Sequence, residues 1–214
     1  MDFYYIPLSP PCRAVMLTAK ALGVEMNLKF LNVMAGDQMK PEFLAINPQH
    51  TVPTFVDGDL KLWESFDNFH YLHNNYGENG FFFNKTSKRN VQMQYIHYYA
   101  IIGPIYMRID SSYPVMFRGQ ETPDPKKLES FHEALGWLDS WLAGKKYAIG
   151  NQVTIADHTL VGTLSGVEIA GDYLSKHKNI VAWMERCKKL PGYDVACAPG
   201  AKEFGEFAKK ALSK

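Results

Sequence analysis

Cysteine is scarce in this chain: Cys12, Cys187 and Cys197 are odd in number and form no C-x-x-C pair. Neither a disulfide framework nor a structural zinc site is expected from such usage. Charge of one sign is lacking as well, because 23 Lys+Arg against 22 Asp+Glu leave a formal net charge of +1. Counterion release, the main drive for non-specific nucleic-acid binding, has little to act on, so DNA and RNA are not expected partners. Long apolar runs are also missing. The longest stretch without a formal charge, Asn90 to Met107, is interrupted by Gln92, Gln94 and His97, which are costly in a hydrocarbon core, so no membrane span is expected. Met1 to Pro7 carries no basic stretch followed by an apolar run, and the chain reads as cytoplasmic. The sequence has no G-x-G-x-x-G, no Walker-type loop, no H-E-x-x-H and no G-x-S-x-G, which removes the usual nucleotide, zincin and serine-hydrolase readings.

What is present is the composition of a folded globular protein, with 46% hydrophobic and 21% charged residues over 214 positions. That length lies between one average domain and two. Phe3 to Ile6 is aromatic and β-branched and reads as a short buried strand running into Pro7. A helix follows, with Pro11 in its first turn, an apolar face of Ala14, Val15, Leu17, Ala21 and Leu22, and Gly23 as its stop. Leu28 to Val33 is expected as a second strand, and Lys40 to Ile46 as a short helix ended by Asn47-Pro48. Thr51 to Val56 and Leu60 to Trp63 flank Asp57-Gly58-Asp59, the composition of a tight hairpin turn. Ser65 is placed to cap a helix carrying Phe66, Phe69, Leu72 and Tyr76 and stopped by Gly77.

The first module is therefore βαβ-α-ββα, assigned to residues 1–80, with a linker from Gly77 to Lys88. Residues 86–214 show helical periodicity throughout: Val91 to Ile109, Lys126 to Leu142, Thr154 to Ile169, Ile180 to Lys189 and Ala201 to Leu212. The fold class is α+β with an all-α second domain. Thr154-Ile155-Ala156-Asp157 has the spacing of a capping box, in which hydroxyl and carboxylate each satisfy a backbone N–H at the helix start.

Three segments could carry chemistry. Ser9 immediately precedes the helix begun by Pro10-Pro11-Cys12-Arg13, where backbone N–H groups and the helix dipole favour negative charge; its plainer reading is an N-cap. Val52-Pro53, between a helix and a hairpin, invites a cis peptide that leaves the backbone of Val52 open to an extended ligand. Glu64-Ser65 sets a carboxylate and a hydroxyl at a second helix start, suited to an amine and a carboxylate. Together they describe a groove for a short zwitterionic peptide with an anion beside Ser9. His70 and His73 share a helix face but lack a neighbouring thiolate or carboxylate, so no metal is expected. Cys12 is either a low-pKa thiol at the helix start or a buried small apolar residue, and its aliphatic neighbours favour the second.

The run Tyr4-Tyr5-Ile6-Pro7-Leu8-Ser9-Pro10-Pro11-Cys12-Arg13-Ala14-Val15 resembles the start of a cytosolic glutathione S-transferase of the insect delta class. So do Lys40-Pro41-Glu42-Phe43-Leu44, Asn47-Pro48-Gln49-His50-Thr51-Val52-Pro53-Thr54 and Leu62-Trp63-Glu64-Ser65. The resemblance continues through Thr154-Ile155-Ala156-Asp157 and Ala182-Trp183. It implies a thioredoxin-like first domain that binds glutathione as co-substrate, a helical second domain that completes an apolar site, and a homodimer. The family's catalytic serine falls on Ser9, whose O–H would favour the glutathione thiolate over the thiol. Gln38, His50, Val52, Pro53, Glu64, Ser65 and Phe66 are the further glutathione-site positions, and Ile6, Pro11, Val33, Ile105, Arg108, Tyr113, Phe117 and Phe204 the hydrophobic-site positions.

The chain departs from the delta pattern where an arginine usually follows Glu-Ser, since it has Phe66 and then Asp67. Ala100 stands where members commonly carry that arginine's acidic partner, and Gln38 stands where many have histidine. Weaker glutathione binding is the expected consequence. Arg108 would favour an anionic or electron-rich acceptor if it faces the apolar cleft, and would mean little if it snorkels outward. The expected activity is conjugation of glutathione to small, mostly apolar electrophiles, of the detoxification type. The alternatives are a transferase-like binding protein with weak or lost catalysis, and a glutathione-dependent isomerase, peroxidase or dehydrochlorinase.

Overall fold

Four short strands order as β2-β1-β3-β4 in one mixed sheet: β1 is Asp2–Tyr5, β2 Asn27–Phe30, β3 Thr54–Asp57 and β4 Leu60–Trp63. The computed structural model describes residues 1–77 and 125–212. β1 pairs parallel with β2, reached through the crossover helix α1 (Pro10–Ala21), and antiparallel with β3. The hairpin β3-β4 turns at Gly58, whose φ of 58° lies in the left-handed region that a tight turn requires. Phe3 and Phe55 are partners across β1 and β3, with ring centroids 5.0 Å apart. They join Ala14, Val15 and Leu17 of α1 and Phe69 and Leu72 of α3 (Ser65–Tyr76) in the core.

A short helix α2 (Pro41–Leu44) follows two single 3-10 turns, Val33–Ala35 and Asp37–Met39. The second half of the described chain is helical apart from an isolated bridge between Tyr147 and Gly150: α4 (Pro125–Leu142), α5 (Ile155–Ala170), α6 (Lys178–Cys187), α7 (Tyr193–Ala196) and α8 (Ala198–Leu212). α5 is buried on nearly every face, which makes it the axis of this helical part. Its capping box forms as the spacing predicts. Thr154 Oγ1 accepts from Ala156 N, while Asp157 accepts from Thr154 N at 2.9 Å. α1 crosses α5 at close range because Gly162 has no side chain; a Cβ there would lie 2.9 Å from Pro10 O.

Several boundaries differ from the sequence reading. β2 is Asn27–Phe30 rather than Leu28 to Val33, because Asn32 Oδ1 accepts from Ala35 N and folds Val33 into a 3-10 turn. β3 begins at Thr54 rather than Thr51; Val52-Pro53 is cis, and proline has no N–H to give to a ladder. α2 covers four residues where Lys40 to Ile46 was expected. α3 takes Glu64 rather than Ser65 as its N-cap residue, so Ser65 is its first helical residue and not the cap. The tail helix begins at Ala198 instead of Ala201, since Pro199 and Gly200 are tolerated in a first turn, and α7 precedes it unannounced. The expected helix Val91 to Ile109 and the linker beyond Gly77 lie outside the described residues. Among the described residues no helix is long and apolar enough to cross a membrane.

Candidate active site

Tyr4 on β1 pairs with Thr54 on β3, and Thr54 pairs with Trp63 on β4. That register aligns three loops along one end of the sheet. The segment Ile6–Ser9 leaves β1 there, Val52-Pro53 enters β3 there, and Glu64-Ser65 leaves β4 there. Because β2 runs parallel to β1, the turns that carry Val33 and Gln38 leave β2 at the same end. Strand polarity thus sets Ser9, Gln38, Val52, Pro53, Glu64, Ser65 and Phe66, from four separate stretches of chain, on segments at one end of the sheet. From β1 to β4 is two ladder steps, about 10 Å.

Ser9 is the N-cap of α1. Its Oγ accepts from Cys12 N at 3.4 Å, a long bond for N–H to oxygen, and its hydroxyl proton is not used by that contact. The backbone is held better: Ser9 N donates to Ile6 O at 3.0 Å, and Arg13 N donates to Ser9 O at 3.1 Å. A half-buried hydroxyl at the positive end of a twelve-residue helix, with a proton to give, suits an anion in front of it. Cys12 does not compete for that role. It is fully buried, and burial pushes its thiol up to about 11, so it stays protonated at neutral pH.

The loop before β3 is organised by Asn47, a buried side chain that the sequence marks as a helix end but not as a site position. Its Nδ2 donates to Thr51 O, Thr51 Oγ1 and Thr54 Oγ1 at 3.1, 3.2 and 3.0 Å, and its Oδ1 accepts from Gln49 N at 2.9 Å. A polar residue just past a short helix and before a proline is the local signal for such a loop organiser. His50 sits on this loop, exposed and with a φ of 47°. The backbone N–H and C=O of Val52 take no partner among the described residues.

At the β4–α3 corner Glu64 is exposed and adopts φ 70°, and its side chain makes no capping bond. Asn68, fully buried one turn into α3, holds this corner through its backbone N–H to Glu64 O at 3.1 Å and its Nδ2 to Leu62 O at 3.4 Å. Phe66 packs edge-on against His70, with centroids 4.5 Å apart, and Asp67 is exposed. Gln38 is half-buried, and its Oε1 is buried without a partner among the described residues. No cluster of three or more metal-ligating side chains forms among the described residues.

Of the expected apolar positions, Ile6 is buried just past the end of β1, and Pro11 and Val33 are half-buried. Phe204 is 3% exposed, packed on α8 with the Arg13 guanidinium 6.0 Å from its ring centroid. Ile105, Arg108, Tyr113 and Phe117, with Ala100, lie outside the described residues.

Residues 3–80 match the glutathione S-transferase N-terminal domain, and residues 93–191 match the glutathione S-transferase C-terminal domain. A delta-class glutathione transferase from Nilaparvata lugens shares 36% identity, with 98% of this chain and 99% of that chain covered at a TM-score of 0.89. An epsilon-class glutathione S-transferase from the housefly Musca domestica shares 32% over 98% of this chain and 97% of its own, with a TM-score of 0.90. A glutathione transferase homologue from Drosophila mojavensis, solved with bound glutathione, shares 28% over 98% and 96%, with a TM-score of 0.89. On its sequence, its mixed four-stranded sheet and its helical second half, this chain belongs to the glutathione S-transferase family.

Proposed function

We propose that this protein ionises the thiol of glutathione beside Ser9 and adds the resulting thiolate to small, mostly apolar electrophiles, acting as a homodimer of the delta class. The observation that carries this reading is the Ser9 hydroxyl, set at the N-terminus of α1 with its proton uncommitted by the cap. A free thiol titrates near 8.5, so a downward shift of two, about 2.7 kcal/mol, makes it mostly thiolate at neutral pH. One hydroxyl donor and the helix terminus are the means of that shift. The thiol proton leaves to solvent, the sulfur forms a bond to the electrophilic carbon, and the displaced group departs with its electron pair.

The sheet end provides the frame. Three extended residues span about 10 Å, close to the width from β1 to β4, so a tripeptide reaches from Ser9 to Glu64 across the open backbone of Val52. In this reading residues 1–80 hold glutathione, with Gln38, His50, Pro53, Ser65 and Phe66 around it. Residues 86–214, with Ile6, Pro11 and Val33, supply the apolar co-substrate site. The glutathione bound in the Drosophila mojavensis homologue supports the choice of ligand.

A second reading is favoured by Phe66 and Asp67: the first turn of α3 presents an aromatic ring and an acid, where a γ-glutamyl carboxylate calls for a cation. It is a transferase-like protein that binds apolar ligands with little turnover. Retention on immobilised glutathione followed by turnover of a chloro-nitrobenzene tests both. Retention with turnover is the expected result. Retention without turnover favours the binding protein, and failure to be retained at all overturns the glutathione site.

A further inference from the structure

Arg13 lies in the second turn of α1 and is completely buried. Its guanidinium reaches two places at once. Nη1 donates to Pro7 O at 2.8 Å and to Leu8 O at 2.9 Å, while Nε and Nη2 both donate to Gly162 O, at 3.2 and 2.7 Å. Pro7 and Leu8 are the two residues before Ser9, and Gly162 is midway along α5 in the helical half. A planar guanidinium with a fixed fork of donors fits this task, because it holds both carbonyls in one orientation.

The same peptide is pinned from the other side. Gly200 in the first turn of α8 faces Pro7 O so closely that a Cβ there would sit 2.1 Å from it. Gly162 likewise faces Pro10 O, where an added Cβ would sit 2.9 Å from it. The stretch from Pro7 to Pro10 is therefore gripped by α1, α5 and α8, with Ser9 in its middle. Ser9 needs this, since its own side-chain bond to Cys12 N is 3.4 Å long and fixes its aim loosely.

We propose that Arg13 is a positioning residue for Ser9, and that with Gly200 it makes the aim of the Ser9 hydroxyl depend on the docking of the helical half against the Pro7–Leu8 peptide. The proposal rests on Ser9 acting on the glutathione thiol. When the guanidinium is lost, the Pro7 and Leu8 carbonyls are free to rotate, the hydroxyl leaves its line to the sulfur, and thiolate stabilisation falls while the remainder of the glutathione site stays in place.

The test follows the thiolate absorbance of bound glutathione against pH in the unaltered protein and in Arg13→Gln, Arg13→Lys and Gly200→Ala. Arg13→Gln and Gly200→Ala are expected to raise the pH of half-ionisation by about one and to lower kcat at neutral pH roughly threefold. Their dissociation constants for glutathione should stay within about threefold of the unaltered value. Arg13→Lys, which keeps the charge but can serve fewer of the carbonyls, should fall between. If Arg13→Gln does not fold, Gly200→Ala carries the test with the guanidinium in place. Folded variants with an unchanged half-ionisation pH, or with a raised KM and normal kcat, overturn the proposal. Ser9→Ala, measured alongside, separates the two ideas. If it loses thiolate and rate while Gly200→Ala and Arg13→Lys do not, only the positioning role fails. If it loses neither, the role of Ser9 fails and the positioning proposal with it.

Discussion

The indole Nε1 of Trp183 donates to Oδ1 of Asp157 at 2.8 Å, tying α6 to the start of α5 across 26 residues of chain. The same carboxylate accepts from Ala148 N at 2.8 Å, Thr154 N at 2.9 Å and Thr154 Oγ1 at 3.1 Å. Burial pushes the Asp157 carboxyl up, and these four donors pull it back toward the ionised form. The capping box is thus also the joint between two helices and the Ala148 loop.

Asp157→Ala leaves these buried donors without an acceptor. It should cost about 3 kcal/mol or more, above the typical loss of a helix cap alone. Asp157→Asn, which keeps one acceptor oxygen, should cost less than Asp157→Ala. Urea unfolding monitored by the fluorescence of Trp183 and its neighbours measures both; equal losses from the two variants would show that the acceptor has no special weight.

Ser9→Ala should lower turnover roughly 10- to 1000-fold, as removal of one anion-stabilising donor does. Its cost in stability should be under about 1 kcal/mol, because the capping bond it removes is long. Steady-state rates beside a thermal melt check this pair of values, and an unchanged rate discards Ser9 as the catalytic group.

Phe66→Arg supplies a cation at the start of α3 and removes the ring packed on His70. Glutathione should bind roughly three- to tenfold more tightly, a gain of about 0.7–1.4 kcal/mol, and more so when Asp67→Ala is combined with it. Calorimetric titration gives the dissociation constants. No change in the double variant counts against the account of that corner.

Asn47→Ala removes the hub of the loop that carries His50 and Val52, leaving the Thr51 and Thr54 hydroxyl oxygens without their donor and Thr51 O with the Thr54 hydroxyl alone. A loss of about 2 kcal/mol is expected, together with a raised KM for glutathione and a smaller change in kcat. A fall in kcat at constant KM would place the effect elsewhere.

His158 is buried on α5, and its Nδ1–H donates to Thr18 Oγ1 at 2.9 Å, while Thr18 Oγ1 donates to Ala14 O at 2.9 Å. Burial lowers the imidazole to about 3 from an ordinary 6.5. Below pH 6.5 the unfolded chain binds a proton that the folded chain does not, so stability falls with acidification by about 1.4 kcal/mol per pH unit until the folded value is reached. In His158→Gln, urea midpoints between pH 6 and pH 4.5 should decline less steeply than in the unaltered protein. Parallel declines would assign the acid sensitivity to other groups.

In several places a local signal dictates a local shape. Asp57-Gly58-Asp59 fixes a turn, and β4 ends where the apolar run ends; Thr154 and Asp157 form their box; Val52-Pro53 is cis. Where the deciding partner is distant, or where two neighbours compete for one role, the shape is not legible in the sequence. Ser65 looks like a cap, yet the chain reverses at Glu64 with positive φ, and that corner is held by Asn68. β2 stops early because Asn32 and Asp37 bond each other's backbone neighbourhood and curl the chain after it.

The candidate site divides in the same way. Ser9 at the mouth of a helix, the open backbone at Val52 and the acidic corner at Glu64 were legible from residue type and spacing, because caps, prolines and turns act over a few residues. Their alignment at one end of a sheet was decided by strand pairing, since only the register of Tyr4, Thr54 and Trp63 sets three loops side by side. Arg13 makes the contrast plain: in the sequence it is one cation in an apolar helix, and in the fold it joins two carbonyls before Ser9 to one in α5, 149 residues away. Hydrogen bonds of that reach exist only after the two halves have packed, so no stretch of chain read alone contains them.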